Sequence, residues 1–230
     1  IYKVYKVTPN AEITLEANPD DLTSEYISML RTFPFNRISM GIQTFQDSTL
    51  KLLQRRHTAE QAIRAFQNGR TAGFRNISID LMYGLPGETL ASWKEDLKQA
   101  LALHPEHISA YHLIYEEGTT LWQLREQHKL EEADEDLSVS LFGTLIDSLT
   151  AAGYEHYEIS NFCLPGFHSR HNSSYWTEKK YLGCGPSAHS YNGTSRQWNV
   201  ASLNEYIRGI SNGNPTFEVE ELDLYTRYND

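Results

Sequence analysis

Two groups of side chains in this sequence are of types that bind ligands or do chemistry. The first is dispersed. Glu16, Gln43, Asp80 and His112 each fall at or near the C-terminal end of a stretch that reads as a β-strand. Polar residues mark many strand ends, but repetition over successive strands asks for more, and an aspartate inside ISIDLMYGLP requires a partner. The second group is compact. RHNSSYW, residues 170–176, sets a cation, an imidazole, an amide, two hydroxyls and two large aromatics side by side. No helix or strand period accounts for it, which leaves a pinned loop, a metal site or a platform for a flat aromatic ligand. Only His171 among its side chains is a good metal ligand, so a multi-ligand metal site is the weakest of the three.

The elements that must position these groups alternate. EITLEANP contains a short strand over residues 13–15, ending at Glu16. DDLTSEYISMLRTF follows as a helix with Thr23 as N-cap. NRISMGIQTF is the next strand. TAEQAIRAFQNGRTAG is a helix opened by the capping-box pair Thr58 and Gln61 and closed by Gly73. FRNISIDLMYGLPG is a third strand, and Thr89 opens a helix that ends before Pro105. EHISAYHLIYEEGT is a fourth strand, LWQLREQHKL and DEDLSVSLFGTLIDSLTAAG are helices, and YEHYEIS is a fifth strand-like segment. Strands alternating with helices imply a parallel sheet, either doubly wound or part of a β/α barrel. Polar residues at successive strand C-termini favour the barrel, because its sites are built there. The turn Gly84–Gly87 is either a tight turn or a close approach of backbone to a ligand. No G-x-G-x-x-G, P-loop or G-x-S-x-G nucleophile elbow is present.

Composition removes several classes of function. The net charge of −10 argues against nucleic acid and against an anionic membrane surface. No apolar run approaches the roughly 20 residues of a membrane span, and the chain opens without a secretory h-region. Two cysteines, Cys163 and Cys184, read as reduced, buried thiols of a cytoplasmic protein. Cys184 sits in the tight loop YLGCGPS with no second cysteine near it, and a helix follows from about residue 202 to 210.

Taken in series, EANPDDL, SMGIQTF, LLQRRH, IDLMYGLPGET and YHLIYEEGT resemble the radical S-adenosylmethionine proteins related to oxygen-independent coproporphyrinogen III oxidase. YEISNFCLPGFHSRHNSSYW and YLGCGPSAHSY resemble more closely the HemW-type haem chaperone branch, and the match runs from about residue 12 to 199. The resemblance implies a partial, three-quarter β/α barrel with S-adenosylmethionine bound at one end beside a 4Fe–4S cluster. Carried over residue by residue, Glu16 lies near the methionine end of that cofactor, Gln43 and Arg55 contact its ribose or carboxylate, and Asp80 lies near the ribose. His112 and His189 fall in segments that line the adenosine pocket. In the chaperone branch His171 is offered to haem iron, with Tyr175 and Trp176 as flat apolar surface and Arg170 facing a propionate. Ser173 and Ser174 occupy the two variable positions of the branch's H-N-x-x-Y-W stretch, which puts the propionate contact in doubt if a cation is wanted there.

The departures matter equally. The sequence contains no C-x-x-x-C-x-x-C and no glycine-rich G-G-G-T-P segment, so the cluster ligands are expected outside it. The expected organisation is a partial barrel over 1–153 with about four βα units, a family-specific extension over 154–215, and the start of a shortened C-terminal domain over 216–230. Such a chain should not cleave S-adenosylmethionine unaided, and its open sheet edge should bring partial instability, a dimer through that edge, or pairing with a segment that precedes it. Two functions stand: a haem-binding chaperone that passes haem to acceptor proteins, or the oxidative decarboxylation of coproporphyrinogen III to protoporphyrinogen IX in porphyrin biosynthesis. The H-N-x-x-Y-W stretch favours the first.

Overall fold

The computed structural model describes residues 2–223. They divide into two compact units, Ile1–Ser169 and Arg170–Asp230. The last seven residues, within the expected C-terminal segment, lie outside the described residues.

The first unit is a six-stranded mixed sheet with helices on one face. Strands β1 (Thr14–Ala17), β2 (Arg37–Gln43), β3 (Ile77–Tyr83) and β4 (His107–His112) lie side by side in chain order and run parallel. The helices between them are α1 (Ser24–Leu30), α2 (Asp47–Leu52), α3 (Ala59–Thr71) and α4 (Leu90–Leu103); α5 (Thr120–Glu126) and α6 (Glu135–Ala151) follow β4. The caps read from sequence are present. Thr23 Oγ1 accepts from the Tyr26 N–H, and Thr58 and Gln61 bond reciprocally. Gly73, just past α3, takes the left-handed conformation at φ 89°.

Strand parity divides the sheet into two unlike faces. On one lie Ile38, Met40, Ile42, Ile77, Ile79, Leu81, Ile108, Ala110 and Phe162, all buried with Ile27, Phe66, Trp93, Leu97, Leu141, Leu145 and Leu149 in one core. Each aliphatic side chain so buried contributes about 1.5–3 kcal/mol. Trp93 Nε1–H donates to the Leu141 carbonyl at 3.0 Å, tying α4 to α6. The opposite face carries Glu16, Arg37, Ser39, Gly41, Ser78, Asp80, His107, Ser109 and Asn161.

The sheet does not end as the sequence suggests. The fifth strand-like segment is β5 (Glu155–Glu158), but a turn at residues 159–160 sends the chain back as β6 (Asn161–Cys163). β6 inserts antiparallel between β4 and β5, giving the order β1-β2-β3-β4-β6-β5. The first unit therefore runs to Ser169, past the boundary expected at residue 153. At three residues, β6 is too short to show a period.

The second unit contains α7 (Arg170–Tyr175), a three-stranded antiparallel sheet of β7 (His189–Tyr191), β8 (Ser195–Asn199) and β9 (Phe217–Glu221), and α8 (Leu203–Ser211). Asn192 Oδ1 accepts from the Thr194 and Ser195 N–H groups, and Gly193 takes φ 102°, which closes the β7–β8 hairpin. Two expectations need correcting here. RHNSSY is not a loop but the helix α7, with Trp176 just past its end, and a turn and a half is too short for a periodic signal. Cys184 is exposed, whereas Cys163 is buried as expected.

One buried carboxylate fixes the turn after β2. Asp96 of α4, 1% exposed, accepts from Thr44 Oγ1 at 2.5 Å, from the Phe45 N–H at 3.1 Å and from Gln46 Nε2 at 3.1 Å. Asp96→Ala strands these donors in the core and should cost about 3 kcal/mol. Urea unfolding measures it; a loss below about 1 kcal/mol would show that the turn holds its shape without the carboxylate.

Candidate functional site

At the C-terminal ends of β1, β2 and β3 the polar face opens into a cleft of about 690 Å³, lined by Glu16, Asn18, Asp21, Tyr26, Ser39, Gly41, Gln43, Arg55 and Asp80. Parity aims these side chains. Glu16 on β1 stands opposite Ser39 on β2, and Gly41 stands opposite Asp80 on β3. Ser39 Oγ–H donates to the Asp80 carboxylate, 3.1 Å from Oδ1 and 3.3 Å from Oδ2. The pairing slips between Gly41 and Gln43, and Gln43 takes a left-handed φ of 70°, so the end of β2 turns toward the cleft.

Arg55 arrives from the turn after α2. Its Nη2 donates to Asn18 Oδ1 at 2.6 Å and to the Gly41 carbonyl at 2.9 Å. This crossing leaves no room for a side chain at position 41. A Cβ there would stand 2.8 Å from Gln43 Nε2 and 3.3 Å from Arg55 Nη2. Beside the cleft, Arg56 pairs with Asp20 at 2.8 Å and Asp21 at 3.1 Å.

Burial pushes the Asp80 carboxyl up to about 6, and the negative charge of Glu16 adds to the rise; hydrogen bonds from Ser39 and Ser109 and the charge of Arg37 oppose it. Near neutral pH the cleft thus holds a carboxyl that exchanges its proton readily, beside a second carboxylate and a guanidinium. That set suits a zwitterionic or polyhydroxylated ligand.

Four of the six residues assigned to one ligand from sequence, Glu16, Gln43, Arg55 and Asp80, therefore line one cleft. His112 does not. It shares the parity of Ile108 and Ala110, so it faces the helices, where Nδ1 meets the Leu113 carbonyl at 2.9 Å and Nε2 meets Ser138 Oγ at 3.0 Å. The Gly84–Gly87 turn is also explained by His112. A Cβ on Gly84 would lie 2.5 Å from His112 Nε2, so the close approach at Gly84 is to this ring. Glu88 holds the turn by accepting from the Gly84 and Leu85 N–H groups at 2.6 and 3.3 Å, and burial raises its carboxyl to about 7. Asn18 and Ser39 line the cleft without having been singled out in the sequence. Asn18 lies two residues past Glu16, and Ser39 shares the parity of Gly41, so strand register would have flagged both.

His189 belongs to the second unit, where its ring stacks on Trp198 with centroids 5.8 Å apart. On α7, His171 and Tyr175 are one helical turn apart. Tyr175 Oη lies 3.1 Å from His171 Nε2, and the two rings meet edge to face. Beside them Tyr175, Trp176, Lys179, Tyr181, Tyr191 and Arg196 line a cavity of about 340 Å³. Tyr175 and Trp176 are 50% and 58% exposed. The imidazole and phenol thus hold each other within the helix while the aromatic side chains of Tyr175 and Trp176 stay open to solvent.

Comparison with known proteins agrees with this architecture. The pattern of the radical SAM superfamily matches residues 1–100. Heme chaperone HemW of Bacillus subtilis (strain 168) is 39% identical over 197 residues, covering 86% of this chain and 52% of that protein. Heme chaperone HemW of Lactococcus lactis is 40% identical with the same coverage. A mitochondrial radical S-adenosyl methionine domain-containing protein 1 of Mus musculus is 37% identical over 180 residues, 78% of this chain and 41% of that protein. The structure of coproporphyrinogen III oxidase (HemN) from Escherichia coli superposes with a TM-score of 0.80 at 24% identity, covering 96% of this chain and 54% of that one. That likeness establishes the radical SAM barrel fold, of which this chain carries a part. The chain spans about half the length of the curated relatives it matches.

Asp80 gives the cleft a measurable signature. Its folded-state value of about 6 lies above the ordinary 3.8. Ionisation therefore favours the unfolded chain, and this group's contribution to stability falls as pH rises from about 4 to 6, then levels. The fall is about 3 kcal/mol at 1.36 kcal/mol per unit. Denaturation of wild type and Asp80→Asn between pH 4.5 and 7.5 should show that part of the wild-type slope vanish in the variant; parallel curves would refute a raised Asp80.

Proposed function

The chain belongs to the radical SAM superfamily, in its HemW-type branch, and on that footing we propose that it is a haem-chaperone-like protein that binds S-adenosylmethionine in the cleft of its first unit and haem on its second. The observation carrying this reading is the convergence of Glu16, Gln43, Arg55 and Asp80 on one cleft. The donor set fits the cofactor. Arg55, held by Nη2 to Asn18 and to the Gly41 carbonyl, fixes a positive charge in the cleft that suits a carboxylate. Glu16, Gln43 and Asp80 supply acceptors for an ammonium and ribose hydroxyls. Gly41 keeps the floor of the cleft clear. S-adenosylmethionine in such a cleft supplies one-electron chemistry when a reduced 4Fe–4S cluster stands beside it. Two cysteines do not make a three-cysteine loop, so these residues do not hold the cluster.

For haem, His171 offers an imidazole nitrogen once Tyr175 releases it. Exposed Tyr175 and Trp176 provide surface for a macrocycle, and Lys179 and Arg196 at the cavity wall suit propionates. Transfer to haem-accepting proteins fits an open platform better than a closed pocket. The two unpaired cysteines are in keeping with a reducing, cytoplasmic setting, and among the described residues no helix is long and apolar enough to cross a membrane.

Two titrations test the reading. Calorimetry with S-adenosylmethionine should show binding that weakens about tenfold or more in Arg55→Ala and in Asp80→Ala, each tenfold being about 1.4 kcal/mol. Unchanged affinity in both would remove the cofactor from this cleft. Haem titration of wild type and His171→Ala should differ in affinity and in the position of the Soret band. Identical spectra and affinities would exclude His171 as the iron ligand.

A further inference from the structure

We propose that Glu155, Cys163 and His168 form a binding site for a zinc-class divalent cation, at the end of the sheet opposite the cleft. Cys163, the last residue of β6, stands opposite both His107, the first residue of β4, and Glu155 of β5. These positions lie at the N-terminal end of the parallel strands. The turn that follows brings a third ligand type over the thiol. The Phe167 N–H donates to the Leu164 carbonyl at 3.0 Å, Gly166 takes φ 86°, and His168 arrives five residues after Cys163. Burial pushes the Cys163 thiol up to about 11, and the Phe167 N–H, which donates to the sulfur, opposes that rise.

One ligand atom from each residue lies within 4.8 Å of the other two, and His168 Nε2 stands 3.1 Å from Glu155 Oε2. Bonds of 2.0–2.3 Å in a tetrahedron put ligand atoms roughly 3.3–3.7 Å apart, so small side-chain motions complete the site. The His168 ring is steered by an edge-to-face contact with Tyr157 at 4.7 Å. The Tyr157 hydroxyl is committed elsewhere, 2.7 Å from His107 Nε2 and 3.3 Å from the Ser169 N–H. Cys163 is buried beneath, while Glu155 and His168 are half exposed, leaving an entry path and a fourth position for water.

The mixed sulfur, nitrogen and oxygen set selects the metal class. Thiolate and imidazole suit Zn²⁺, whereas Mg²⁺ and Ca²⁺ require oxygen ligands throughout. Binding forms a sulfur–metal bond, releases the thiol proton to solvent and changes no oxidation state. The bound cation would staple the β5–β6 hairpin to the segment that leaves it.

Cobalt(II), a spectroscopic substitute for zinc, tests the assignment on this chain, with Zn²⁺ competition to follow. One equivalent should produce a sulfur-to-cobalt charge-transfer band and tetrahedral visible bands, both removed by Zn²⁺. The bands should vanish in Cys163→Ser and His168→Ala, persist in Cys184→Ser, and need at least tenfold more Co²⁺ in Glu155→Gln. Zn²⁺ should raise the wild-type Tm and leave that of His168→Ala unchanged. His168 is partly exposed, so its variant keeps the test valid if Cys163→Ser fails to fold, which circular dichroism in chelator checks. Absence of the bands in wild type, their survival in folded His168→Ala, or their loss in Cys184→Ser would each overturn the proposal.

Discussion

Everything in the first unit depends on the two-residue repeat of its parallel strands. Because alternate side chains leave a strand on opposite faces, β2, β3 and β4 commit one face to helices and the other to polar chemistry. Ile38, Met40, Ile42, Ile77, Ile79 and Leu81 supply the apolar face, and the residues between them supply Ser39, Gly41, Ser78 and Asp80. A slip of one residue in any pairing would bury the carboxylates against Trp93 and Leu97 and expose the core. The site and the core are thus two readings of one register.

Such a polar face is stable only if its members satisfy one another. They do so in rows across the strands. Ser78 Oγ meets His107 Nδ1 at 2.8 Å, and His107 Nε2 meets the Tyr157 hydroxyl at 2.7 Å. Burial drives the His107 value down to about 3, so the ring stays neutral and its tautomer follows its two hydroxyl partners. One row nearer the cleft, Ser109 Oγ donates to Asn161 Oδ1 at 2.7 Å, and the Asn161 amide reaches Glu158. At the cleft Asp80 accepts from Ser39 and keeps a raised value beside Glu16.

Much of this was legible in order along the chain. Helix starts at Thr23, Thr58 and Thr89 are local chemistry, and the structure forms each of them. Glu16, Gln43 and Asp80 were legible because strand ends and motif series fall together. His112 misled because a histidine near a strand end looks alike on either face, and only its parity with Ala110 sends it to Ser138. The β5–β6 hairpin, α7 and the β7–β8–β9 sheet escaped notice because elements of three to six residues carry too little pattern.

By itself the sequence determined the alternation of strands and helices, the caps, the family resemblance and the residue types that reach the cleft, since these are set by short-range periodicity and local hydrogen bonding. Only the tertiary structure decided which polar residues meet. It set Arg55 across Gly41 against Asn18, pressed Gly84 onto His112, and returned His168 over Cys163 to face Glu155. Those contacts join residues brought together by sheet register and chain reversal, and no local pattern encodes a distance between separate strands.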